Sequence, residues 1–184
     1  IYFSNYSIND ISAKDLRKNC VVVMQDGFIF ADTLERNIAS GSEEIDENKL
    51  TQAVKIANLQ DFVEDLPQGY KTMLGSGGNG VSGGQKQRIV IAKAVYKNPN
   101  FIFFDEATSS LDSENEKIIY DNLDEFFKGK TVIKIAHRLS TVKNADQIIV
   151  FKKGKVVEVG NHKQLVALKG IYYNLVKNQL ELSV

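Results

Sequence analysis

Over 184 residues, 23 lysines and arginines balance 23 aspartates and glutamates, so the formal net charge is zero. That excludes the basic excess of a general nucleic-acid binder, but not a nucleotide site, which holds its anion with a few local dipoles. The single cysteine, Cys20, excludes an intrachain disulfide and fits a reducing compartment. The length suffices for one domain with a sizeable core. No apolar run approaches the roughly 20 residues of a membrane helix, and residues 1–9 carry no signal-peptide pattern. A soluble chain is expected, serving a membrane only as a peripheral part. It begins at Ile1 rather than Met, so a non-native start is expected.

In chain order, the first apolar run is Cys20–Met24, read as a buried strand over Val21–Met24 with Cys20 as a core thiol. The next convincing strand is Phe101–Phe104. More than 70 residues separate the two, and they read as a mostly helical insertion at the edge of a sheet. Helical spacing is evident over Glu47–Ala57 and Ser82–Tyr96, and again over Ser113–Phe127. Thr131–Ala136 and Gln147–Phe151 read as further strands. Lys152–Lys155 reads as a hairpin turn leading into Lys155–Val159. His162–Leu168 and Ile171–Leu180 read as two surface helices. Strands alternating with helices predict an α/β fold around a parallel sheet.

Two carboxylates end the run Phe101-Ile102-Phe103-Phe104-Asp105-Glu106. Ligands of open α/β sheets sit at the C-terminal ends of strands. Asp105 there suits Mg²⁺, which binds through one or two carboxylates plus phosphates, and Glu106 is placed to take a proton from an attacking water. Two adjacent acids can equally be the plain start of a helix. Ser82-Gly83-Gly84-Gln85 has the form of a capping box ahead of the apolar stripe Ile89, Ala92, Val95 and Tyr96. Its glycines let backbone N–H groups approach an oxygen-rich ligand, and the helix dipole favours a phosphate. An ordinary capped helix has the same form. Gln25 and His137 each follow a predicted strand, where an amide can reach a metal or water and an imidazole can donate to a phosphate oxygen. Either can also be structural. His162, at a predicted helix start, is read as non-catalytic. Gly75–Gly80 formally matches the dinucleotide fingerprint G-x-G-x-x-G, but Tyr70–Leu74 before it is a poor strand and no βαβ unit surrounds it. It is read as a glycine loop. What carries weight is convergence: three strands end in polar residues at one predicted edge, near a phosphate-friendly helix start.

These strings resemble ATP-binding-cassette (ABC) nucleotide-binding domains over essentially the whole chain. Val81–Arg88 resembles the family signature, and Phe101–Glu106 resembles Walker B with its catalytic glutamate. Ser110-Leu111-Asp112 resembles the D-loop, Ala136–Thr141 the switch-histidine loop, and Gln25 the Q-loop glutamine. The resemblance implies a P-loop NTPase-like fold: a partial parallel sheet with a mostly helical signature subdomain. Residues 1–25 and 98–184 would form the catalytic core and residues 26–97 the helical subdomain. It implies ATP and Mg²⁺ as ligands, with Glu106 as general base. Asp105 and Gln25 would hold Mg²⁺ and order the water, and His137 would contact the γ-phosphate. Ser82, Gly83, Gly84 and Gln85 would bind an ATP held mainly by the second nucleotide-binding domain of a head-to-tail pair, with Asp112 bridging that interface.

Gln25–Phe30 followed by Thr33–Ile38 resembles the exporter form of the Q-loop region, which touches the coupling helices of a transmembrane domain. The implied location is the cytoplasmic face of the inner membrane. Exporters commonly carry Glu and Arg where Ser76 and Gly77 stand, and Gly-rich versions resemble exporters of bacteriocins and other peptides. The family string Gly-x-x-Gly-x-Gly-Lys-Ser/Thr (Walker A) does not occur in the 184 residues, and Ile1-Tyr2-Phe3 resembles the strand after the Walker A helix. An N-terminally truncated piece, inactive alone, is expected. A soluble family member in DNA repair or translation, or a non-catalytic regulatory domain, are the rival readings. The Thr33–Ile38 segment, the absence of long heptads and the intact Glu106, His137 and Ser82–Gln85 speak against them.

Overall fold

Local chemistry sets most of the helix starts. Ser12, Thr33, Asp46, Ser82 and Asn161 each accept a hydrogen bond from the backbone N–H three residues on, as N-caps do. They open α1 (Ala13–Asn19), α2 (Leu34–Ile38), α3 (Glu47–Ile56), α5 (Gly83–Lys97) and α7 (His162–Leu168). Asp112 caps α6 (Ser113–Phe127) in the same way, through the Asn115 N–H, and two helices start otherwise: α4 (Gln60–Asp65) and α8 (Ile171–Glu181). The computed structural model describes the chain apart from Ser4 and residues 76–79, 106–110, 136–141 and 182–184, and apart from the side chains of residues 113–114 and 179–181. Its contacts divide it into two compact units, Ile1–Ile133 and Lys134–Val184.

The first unit opens with a short antiparallel pair, β1 (Tyr2–Phe3) and β2 (Tyr6–Ser7). A three-stranded sheet follows, in the order β3 (Cys20–Met24), β4 (Phe101–Asp105), β5 (Thr131–Ile135). Strands β3 and β4 are parallel and in register from Cys20↔Phe101 to Met24↔Asp105. The 76 intervening residues carry helices α2–α5 and, among those described, only an isolated bridge, Thr33↔Met73. The predicted helical insertion is therefore observed.

Helix α5 is the centre of this unit. The sequence predicts an apolar stripe, but Val90, Ile91 and Ala94 are buried as well as Ile89, Ala92, Val95 and Tyr96. The helix packs against α2 and α3 and also against β3, and a helix covered on several sides must be apolar nearly all round. Tyr96 adds a polar tie, its hydroxyl accepting from the Asp46 N–H at 2.9 Å, just ahead of α3.

The expectation that the strands are buried on both faces holds for one face only. Successive strand residues alternate in direction. Val23, Ile102 and Phe104 are buried in the core, with Val21 and Val132 packed against it. On the opposite face Val22 and Met24 are 51% and 55% exposed, and Ile133 and Ile135 are 49% and 58% exposed. Cys20 is half-buried rather than a core thiol. Burial pushes its thiol pKa up, partly opposed by the charge of Lys97, whose Nζ donates to the Cys20 carbonyl at 3.0 Å.

In the second unit β6 (Ile148–Lys152) and β7 (Lys155–Gly160) form an antiparallel hairpin with a bulge between Val150 and Phe151. Its two-residue turn, Lys153-Gly154, has φ of 51° and 75°, the twist that matches flanking strands. Ile148, Val150, Leu165, Tyr172 and Val176 build a small core between the hairpin and helices α7 and α8. His162 lies at the first position of α7, the helix start read for it, with its Nδ1 2.8 Å from the Tyr172 hydroxyl.

Candidate functional site

Parallel pairing brings two of the predicted site residues to one edge. Met24 and Asp105 are register partners at the C-terminal ends of β3 and β4. Gln25 is the next residue, in a turn, and both Gln25 and Asp105 are exposed. The strand edge thus carries a carboxylate at Asp105 and, one residue past its register partner, an amide at Gln25, both hard oxygen donors. Mg²⁺ takes one or two protein carboxylates and draws its remaining ligands from phosphate and water, so this set fits the ion. Glu106 and His137 lie outside the described residues.

Ser82–Gln85 forms the start of α5 with a complete capping box. The Gln85 N–H donates to Ser82 Oγ at 3.2 Å, and the Ser82 N–H donates to Gln85 Oε1 at 2.8 Å. Ser82 and Gly83 are exposed and Gly84 and Gln85 are half-buried. The first turn of α5 thus presents N–H groups and the positive end of the helix dipole to solvent at a serine and two glycines, where an anion could approach the backbone.

The sequence reading missed Gln87. It is a buried polar side chain in an apolar helix, and its Nε2 donates to the Met24 carbonyl at 3.3 Å. This ties α5 to the last residue of β3, directly before Gln25. Gly27 approaches the same helix so closely that a Cβ there would run into the Val90 side chain. Ser82 lies five residues before Gln87, about 7.5 Å along the helix axis. In the sequence Gln87 stands between Lys86 and Arg88, so it reads as one more exposed polar residue and carries no signal of burial.

Asp112 caps α6. Its Oδ1 accepts the Asn115 N–H at 2.9 Å and its carbonyl accepts the Glu116 N–H at 2.9 Å. It is exposed, with its other carboxylate oxygen accepting from the Asn115 side chain at 2.7 Å. The glycine string Gly75–Gly80 falls largely outside the described residues; Gly69–Lys71 before it is a single 3-10 turn and Met73 makes the isolated bridge, so no strand leads into it.

A parallel α/β sheet, a helical insertion, a carboxylate at a strand end and a capped Ser-Gly-Gly-Gln helix define the class of nucleotide-binding domain to which comparison with known proteins also leads. The family model described as ABC transporter matches residues 1–109, more than half of the chain. The chain is 49% identical over 179 residues to multidrug resistance protein pgp-1 of Caenorhabditis elegans, covering 97% of this chain and 14% of the relative. It is 48% identical over 172 residues to the ATP-dependent lipid A-core flippase of Saccharophagus degradans, covering 94% of this chain and 29% of that protein. Among solved structures, a bacterial Atm1-family ABC exporter with ATP bound superposes with a TM-score of 0.88 at 38% identity, covering 94% of this chain and 30% of that one. The chain belongs to the ABC transporter family, and it corresponds to part of the family's nucleotide-binding domain. It spans less than a third of the length of these relatives.

Proposed function

We propose that this chain is part of the ATP-hydrolysing domain of an ABC exporter, working as one half of a head-to-tail pair of nucleotide-binding domains attached to a transmembrane domain at the cytoplasmic face of a membrane. The observation that carries the reading is the β3–β4 register, which sets Asp105 and Gln25 at one strand edge, with the capped signature helix tied to the same strand end through Gln87. Asp105 and Gln25 would hold Mg²⁺, which when bound offsets negative charge on the β- and γ-phosphates. Glu106 takes the proton of the attacking water, and His137 donates to the γ-phosphate. Ser82 and the N–H groups of Gly83, Gly84 and Gln85 stabilise the γ-phosphate of the partner's ATP, with Asp112 near the join. Catalysis is then mostly positioning and electrostatic stabilisation.

A transmembrane partner is supported by an apolar surface in the exporter-like segment and at Met73, which bridges to Thr33 of that segment. Phe28 is 59% and Met73 63% exposed. Phe28 and Phe30 stack edge-on at 5.0 Å, and Lys93 Nζ lies 4.9 Å from the Phe30 ring centre. Among the described residues no helix is long and apolar enough to cross a membrane, so the span would come from elsewhere in the protein. The exported class we favour is an amphipathic molecule, a peptide, lipid or drug. The Gly-rich Ser76–Gly78 supports peptide, and the names of the multidrug and lipid A relatives support the other two. The 184 residues alone, without a phosphate-cradling lysine loop, are expected not to turn over ATP.

The test is Glu106→Gln in the intact transporter. Hydrolysis should stop while binding contacts remain, so Mg-ATP should trap a closed dimer visible by size-exclusion chromatography. Unchanged hydrolysis would remove Glu106 as the base.

A further inference from the structure

Asn58 sits just past α3 in the left-handed region, with φ of 53°, where asparagine is tolerated at a helix end. Its N–H donates to the Lys55 carbonyl at 3.1 Å. Its other polar groups leave α3 altogether. The carbonyl accepts from Arg88 Nη1 of α5 at 2.6 Å. The side-chain Nδ2 donates to Asn115 Oδ1 of α6 at 2.9 Å, and Asn115 Nδ2 in turn donates to Asp112 Oδ2 at 2.7 Å. A continuous line of hydrogen bonds therefore runs from the signature helix to the aspartate that caps α6.

We propose that Arg88, Asn58 and Asn115 form a positioning chain that holds Asp112 in fixed relation to the signature helix. The inference rests on the reading of Ser82–Gln85 and Asp112 as parts of one nucleotide site. Capping of α3 alone does not explain the arrangement. Asn122 of α6 already donates to the Lys55 and Ile56 carbonyls at 3.4 and 3.3 Å. Arg88, by contrast, is half-buried, and its Nε finds no hydrogen-bond partner among the described residues, an unfavourable placement for a guanidinium whose only return is one more helix-end contact. Burial pushes its pKa down, opposed by the nearby charges of Asp112 first and Asp61 second. Arg88 is thus joined to Asp112 electrostatically as well as through the two asparagines. Arg88 lies six positions after Ser82 on one rigid helix, so a shift of the α5 start is transmitted to Asp112.

The experiment uses the intact transporter and steady-state ATP hydrolysis. Asn115→Asp retains an acceptor for Asn58 but replaces the donor to Asp112 by a second carboxylate, so it separates positioning from support of α3. It should keep its melting temperature, lose about tenfold in kcat, and change KM for ATP less than about twofold. Arg88→Met and Asn115→Ala should each lower kcat, and the double variant should be no slower than the slower single, because they interrupt one chain. Wild-type turnover in Asn115→Asp, or losses that multiply in the double variant, would overturn the proposal. Ser82→Ala, run alongside, keeps the two readings apart. If it turns over ATP normally, the site assignment itself has failed. If it is inactive while Asn115→Asp is wild type, only the positioning chain has failed.

Discussion

Replacing Ser82 by alanine tests whether the signature helix start has a role beyond its own stability. The serine Oγ accepts one hydrogen bond, from the Gln85 N–H at 3.2 Å. Alanine removes it and leaves the returning bond from the Ser82 N–H to Gln85 Oε1 in place. Loss of a serine N-cap costs about 1 kcal/mol. The rest of α5 is anchored by Ile89, Ile91, Ala92 and other buried side chains, so the damage stays in the first turn. Against a domain stability of about 5–15 kcal/mol the fold survives, and the melting temperature should drop by roughly 2–4 °C. Hydrolysis in the intact transporter should fall far more, by roughly a hundredfold, the scale for losing one donor to a developing charge. Ser82→Asn separates the two effects, since asparagine caps as well as serine but sets a bulkier amide where the phosphate must approach. Its stability should be near wild type and its turnover low. If Ser82→Ala and Ser82→Asn both hydrolyse ATP at the wild-type rate, Ser82 is a cap and nothing more. A loss of more than about 10 °C in Ser82→Ala would mean that the cap estimate is wrong.

Three further outcomes are expected. Gln87→Met keeps the buried volume but removes the donor to the Met24 carbonyl, so urea unfolding should show a loss of about 0.5–1.5 kcal/mol and turnover should fall as the strand end before Gln25 loosens; an unchanged midpoint would deny the tie. The Cys20 thiol, pushed up first by burial with Lys97 opposing, should react with iodoacetamide at pH 7.5 more slowly than free cysteine and speed up on unfolding in urea; equal rates in the folded and unfolded chain would refute this. The Asp46 carboxylate is held below its ordinary value, chiefly by the Lys49 N–H that it caps. A depressed folded-state pKa contributes stability above the unfolded value of about 3.9 that is lost as pH falls through the folded one. The melting-temperature gap between wild type and Asp46→Asn should therefore close between about pH 5 and pH 2–3, and a gap constant over that range would sink the linkage.

What could be read from the sequence was local. The box Ser82–Gln85, the hairpin turn at Lys153-Gly154 and the bounds of α6 depend on interactions between residues a few positions apart, and the bounds of β3 and β4 show as short apolar runs ended by polar residues; the structure matches each to within a residue or so. The β-run ending in Asp105 was legible because a strand's period and its terminating charge lie in one continuous string. The sequence did not disclose which strand face is covered, because alternation records that two faces exist and says nothing about what lies against each. Val22 and Ile133 are as apolar as Val23 and Ile102, yet they are exposed. Nor could it disclose that Gln87 reaches Met24, 63 residues away, or that Arg88 reaches Asn58 and Asn58 reaches Asn115 across 30 and 57 residues. Those bonds exist because α5 packs between α3 and β3 while α6 packs on the end of α3. A polar side chain at such a junction finds its partner only after the chain has closed the loops between them, so its role was decided by the tertiary fold alone.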